Sequence, residues 1–243
     1  MINERLDELY REYYKGDYCK IVRCGVINEP LYLGSKPKIV FILKEPNDPG
    51  PGGGNWSLPE ELKGFIGQYD SNKTPMPENW KKTWEAAGIW AYSILHGFGC
   101  CCFDQLKNDQ FVIDGLRYIG TTNLKRIPGG GSAIDSEIKR YAKRDKEVLI
   151  KEIAIMGPDL LICGSTYDYV LESINPKPKR ILLNKIHEKP YPYSLYGKSV
   201  ILDFWHPSFR SGASSYKIKS RQDQLDHLKI LIDTLRTNKI VLW

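Results

Sequence analysis

The sequence predicts an α/β protein: one three-layer α/β/α domain around a central, mostly parallel four-stranded sheet. Two observations carry that expectation. Short, β-rich apolar runs alternate with longer amphipathic stretches, the pattern of βαβ units with helices on both faces of a sheet. The chain of 243 residues is 42% hydrophobic and 26% charged, enough to bury a core of that size.

The elements follow in order. Residues 1–14 place Leu6, Leu9, Tyr10 and Tyr13 at helical spacing, which predicts an N-terminal helix within a helical extension over residues 1–35. Residues 38–43 (KIVFIL) read as a parallel strand buried on both faces. Proline and glycine crowd residues 47–59, predicting a loop. Residues 79–98 carry Trp80, Trp84, Ala87, Ile89, Trp90 and Ile94 as the apolar stripe of a helix. Residues 118–124 (YIGTTNL) form a second strand running into the turn IPGGG.

Ser132 and Asp135 have the spacing of a capping box for a helix that turns Ile138, Tyr141, Leu149, Ile150 and Ile153 inward and stops at Pro158. Residues 159–163 (DLLIC) are the third strand, and Gly164-Ser165-Thr166 turn it into a helix reaching about Leu171. Residues 199–204 are the fourth strand, and residues 217–237 a last amphipathic helix with Leu225, Leu228, Ile232 and Leu235 inward. No repeat and no linker divides the chain, so a single domain over residues 1–243 is expected.

Net charge is +6, which permits a polyanionic partner without demanding one. No apolar run approaches a membrane span, and the charged start MINERLDELY is unlike a signal peptide, so a cytoplasmic protein is expected. Six cysteines in that setting do not predict a disulfide framework. The glycine tracts at residues 50–54 and 129–131 lack the spacing and strand-to-helix context of a phosphate-binding loop, which excludes a nucleotide cofactor of that kind.

Ligands of such sheets bind beyond the carboxyl ends of the parallel strands, and the unusual polar residues cluster there. Glu45-Pro46 follows the first strand, Asn123 ends the second, Gly164–Thr166 follow the third, and His206-Pro207-Ser208 follow the fourth. Proline after Glu45 holds that residue extended, so its carboxylate is aimed along the sheet edge.

The ordered blocks KIVFILKEPN, YIGTTNLKRIPGGG, GPDLLICGST and VILDFWHPS resemble the uracil-DNA glycosylase superfamily, over roughly residues 36–235. Their order is closest to the branch that usually carries an iron–sulphur cluster. The resemblance implies removal of uracil or another deaminated base from DNA. The base flips from the stack and its N-glycosidic bond is hydrolysed through an oxocarbenium-like state. It implies Glu45 as the water-activating acid, His206 as the donor to the departing base, and Asn123 as the reader of the base edge.

Trp56, or else Phe65, would stack on the base, and Asn47 stands where some members exclude the thymine methyl. Ser208, the backbone at Phe209, Lys125 and Ser165 would meet the DNA strand, and Arg210 would fill the gap in the stack. Two features depart from the pattern. Leu43-Lys44 replace the usual glycine and its neighbour, and no cysteine lies between Asn123 and Pro158. No metal and no diffusible cofactor are therefore expected, and the chain is expected to act as a monomer. The competing expectation is a protein that binds nucleic acid, a nucleobase or a nucleotide on the same fold without cutting it.

Overall fold

The computed structural model describes residues 1–47, 53–99, 102–130, 132–174, 181–182, 192–208, 220–241 and 243. The chain begins with helix α1 (Ile2–Tyr14), a 3-10 turn (Lys15–Lys20), strands β1 (Val22–Arg23) and β2 (Gly25–Val26) and helix α2 (Glu29–Gly34). Strands β3 (Ile39–Leu43) and β4 (Trp56–Ser57) precede helices α3 (Leu58–Asn72), α4 (Glu78–His96), α5 (Phe103–Leu106) and α6 (Asp109–Leu116). Next come β5 (Ile119–Asn123), α7 (Asp135–Arg144), α8 (Lys146–Met156), β6 (Leu160–Gly164) and α9 (Tyr167–Ile174). Strands β7 (Ile181–Leu182), β8 (Pro192–Tyr196) and β9 (Ser199–Phe204) and helix α10 (Arg221–Thr237) complete the described chain.

The four expected strands are adjacent and parallel in the order β5-β3-β6-β9. The sheet is larger and more mixed than expected. Strand β2 adds antiparallel to β5, while β8 and β7 extend the other side antiparallel, giving seven strands among the described residues. Strands β1 and β4 form a separate parallel pair. The added strands escaped the sequence reading because four of the five have two residues, too short for a periodic signal.

All five residues of β3 are buried, and their alternation divides the core in two. Ile39, Phe41 and Leu43 join the cluster with α3, α4, α6 and α10; Val40 and Ile42 join the one with α1, α8 and α9. Helices therefore cover both faces of the sheet. No helix among the described residues is long and apolar enough to cross a membrane.

Several local expectations need correction. The first 35 residues are not a purely helical extension, since β2 joins the main sheet. Tyr14, not Tyr13, is the buried tyrosine at the end of α1. The loop after β3 is shorter than expected. Trp56 and Ser57 pair with β1, and the Ser57 hydroxyl then accepts from Glu60 N–H to start α3. The Ser132/Asp135 capping box does not form: Ile134 is the N-cap, and the Asp135 carboxylate meets Lys44 instead. The helix expected to run to Pro158 breaks at Asp145, which is buried and accepts from the Tyr14 hydroxyl at 2.9 Å. Tyr141 and Ile150 are half-buried rather than core.

Candidate active site

The exits of β3 and β5 keep pairing after the strands end. Leu124 N–H donates to Leu43 O at 3.0 Å, Lys125 N–H to Lys44 O at 2.9 Å, and Gly129 N–H to Pro46 O at 3.0 Å. This ladder places Lys125 beside Glu45. Its ammonium lies 2.6 Å from Glu45 Oε2 and 2.9 Å from Glu137 Oε2, the second carboxylate coming from the first turn of α7. The Lys125 and Glu45 side chains are 9% and 7% exposed. Gly129 completes the fit: a Cβ there would overlap the Glu45 carboxylate.

Asn123 lies next to Leu43 in the strand register and is buried. Its amide Nδ2–H donates weakly to Cys24 Sγ at 3.6 Å, and its Oδ1 has no partner among the described residues. Burial and the nearby Glu152 push the Cys24 thiol up to about 11, so that sulphur stays protonated at neutral pH. A buried carbonyl oxygen left unpaired is costly unless something else pairs with it.

His206 leaves β9 two residues beyond Phe204. Its backbone N–H donates to Ser165 Oγ at 3.2 Å, and Ser165 holds a left-handed φ of 56° while its N–H reaches Phe204 O at 2.8 Å. Gly164 lets this exit close over the end of β6, because a Cβ there would come within 2.7 Å of Leu43 Cδ2. The ring is fixed by Ser208, whose N–H donates to Nδ1 at 3.1 Å and whose hydroxyl lies 2.7 Å from the same atom. Nδ1 is thus the acceptor, and the neutral ring carries its proton on Nε2. Burial first, then the positive charges of Lys44 and Arg221, hold the imidazole down at about 4. At neutral pH it is an uncharged N–H donor.

Neighbouring strand axes lie roughly 4.8 Å apart, so β3 and β9, with β6 between them, are separated by roughly 10 Å. Glu45, Asn123 and His206 share the carboxyl edge of one parallel block. Among the described contacts, no hydrogen bond or ion pair joins the three side chains to one another.

The remaining candidates divide. Ser208 and Ser165, expected at the DNA strand, hold His206. Asn47 is exposed and bridges to Gly129. Trp56 and Phe65 meet one indole, with ring centroids 6.2 and 4.8 Å from that of Trp80, so both expected stacking residues belong to a single half-buried aromatic group. Trp56 Nε1 has no partner among the described residues. Phe209 and Arg210 lie outside the described residues.

Sequence reasoning missed Glu137 and Arg221, and read Asp135 only as a capping residue. Lys44 meets Asp135 at 2.7 Å, and Arg221 donates to Pro207 O. It also missed the buried Arg126, whose guanidinium pairs with Glu152. No local pattern marks such partners, since 91 residues separate Lys44 from Asp135.

No protein-family model and no curated protein matches the chain.

Proposed function

We propose that this chain is a cytoplasmic DNA glycosylase of the uracil-DNA glycosylase type. In this reading it hydrolyses the N-glycosidic bond of uracil or another deaminated base. The observation that carries it is the state of His206: a neutral ring at a strand end, held by Ser208 through Nδ1 so that its proton sits on Nε2. A donor fixed in advance, where charge will develop on a departing base, is the arrangement this chemistry needs. The unpaired, buried Oδ1 of Asn123 supports the same reading, because the imide N–H of a flipped uracil would satisfy it.

The residues divide the work as follows. The C1′–N bond breaks with its electron pair leaving on the base, whose oxygen accepts from His206 Nε2–H. A water held by Glu45 adds its oxygen to C1′, and its proton passes to that carboxylate and on to solvent. The carboxylate also faces the cationic sugar, an interaction that strengthens as the oxocarbenium forms.

The test is base release from a labelled oligonucleotide carrying one uracil, hypoxanthine or xanthine, single-stranded and paired, read by alkaline cleavage. Parent protein should cut, and Glu45→Ala or His206→Ala should cut at least ~100-fold more slowly without loss of fold. Variants as fast as the parent would remove these residues from the chemistry. A parent that binds DNA in a salt-dependent way and releases no base would instead support the non-catalytic reading, which the engagement of Glu45 by Lys125 favours.

A further inference from the structure

Lys125 lies within a motif whose basic residues would ordinarily be assigned to DNA phosphates, yet its ammonium is not presented to solvent. It is 9% exposed, between Glu45 at 2.6 Å and Glu137 at 2.9 Å, and 5.7 Å from the ring centre of Tyr141. Burial, the largest single influence, lowers its affinity for its proton, but the contacts to Glu45 and Glu137 together outweigh it and raise that affinity. A lysine that reads a phosphate needs an open, hydrated ammonium. This one is already enclosed by two acids and an aromatic face.

We propose that Lys125 is a positioning residue for the Glu45 carboxylate and makes no DNA contact. This inference rests on the glycosylase reading. Glu45 follows the last residue of β3 by two positions and precedes a proline, so its backbone is extended but nothing local sets the carboxylate's direction. Lys125 supplies that direction from the adjacent exit of β5, and Gly129 leaves room for the carboxylate to lie there. Glu137 fixes the ammonium from the other side. Through this residue the first turn of α7 becomes part of the site's support, an attachment strengthened by the neighbouring Lys44–Asp135 pair at 2.7 Å.

Misplacement of a reacting carboxylate by about 1 Å can lower a rate by ~100-fold. The experiment measures kcat and KM for base release, and the salt dependence of DNA binding, for the parent, Lys125→Met, Lys125→Arg and Glu137→Gln. Thermal unfolding confirms the fold of each. Lys125→Met should lose ~10- to 100-fold in kcat with KM within about twofold of the parent and an unchanged salt slope. Lys125→Arg should recover most of the rate, and Glu137→Gln should show a smaller loss in kcat alone.

A Lys125→Met variant with the parent's kcat, or with a log–log salt slope shallower by about one, overturns the assignment in favour of a phosphate contact. If that variant does not fold, the arginine and glutamine variants decide: parental kcat in Glu137→Gln together with no rate in Lys125→Arg overturns it. A parent that releases no base overturns the glycosylase reading and this one with it. That result is distinct from an active parent whose Lys125 variants are equally active.

Discussion

An imidazole that accepts from the Ser208 backbone N–H through Nδ1 resists a second proton, because protonating that nitrogen breaks the backbone contact and leaves only the hydroxyl, turned to accept, beside it. His206 should therefore keep its Nε2–H tautomer from pH 8 down to about 5 and titrate near 4, which the ring nitrogen shifts in NMR would report. Its folded affinity for a proton lies below the unfolded value of 6.5, so the unfolded chain binds more protons between those limits. Stability present above pH 6.5 is then lost as pH falls towards 4, by about 3 kcal/mol in all and by about 2 kcal/mol between pH 7 and pH 5. A His206→Asn variant should lose less stability over the same interval, compared by urea unfolding at pH 7 and pH 5. Equal losses would mean that the ring is not held neutral by the fold. Ser208→Ala tests the same lock from the other side: one contact to Nδ1 goes, and base release should slow by about tenfold.

At the scale of elements, the segment leaving β5 is anchored from beneath. Arg126 is 1% exposed and pairs with Glu152 of α8, donates to Thr122 Oγ1 at 3.4 Å and to the Tyr14 hydroxyl at 3.2 Å, while Tyr10 donates to the same Glu152. One buried network thus joins α1, α8 and β5 directly below Lys125. Removing Glu152 leaves the buried Arg126 with only the longer, 3.9 Å pair to Asp145, so Glu152→Ala should destabilise the protein by about 3 kcal/mol, seen as a lower midpoint in denaturant. A Glu152→Leu/Arg126→Leu pair should cost less than the two single changes added together.

Little of this could be read from the sequence. Strands β3, β6 and β9 were legible because short apolar runs of three to five residues, bounded by turn signals, suit a buried strand, and α4 and α10 because their stripes repeat at helical spacing. Glu45, Asn123 and His206 were legible through their places at strand ends. What β2 pairs with, where α7 breaks, and which acid meets Lys125 or Arg126 depend on residues far away in the chain. Asp145 illustrates it: helix continuity through residue 145 reads well locally, and is lost because a buried carboxylate takes the hydroxyl of Tyr14 131 residues away.

Across the whole molecule, the carboxyl edge of the parallel block is where a DNA partner would approach, and its electrostatics are more restrained than the net charge of +6 suggests. Of the described cations around that edge, Lys44, Lys125 and Arg126 are each paired with a carboxylate. Paired cations release few counterions from a polyanion, whereas each phosphate neutralised by a free lysine or arginine adds about 0.9 to the log–log salt slope on duplex DNA. Binding should therefore be modest and weakly salt-dependent, with a slope of about −2 to −4 by fluorescence anisotropy between 50 and 300 mM salt. A slope beyond about −6 would mean that a basic surface elsewhere dominates the encounter, and that the acid–base pairs at the strand ends do not set how the chain meets DNA. A shallow slope combined with efficient base release would place the discrimination in contacts to the base, the role proposed for Asn123 and His206, instead of in attraction to the backbone.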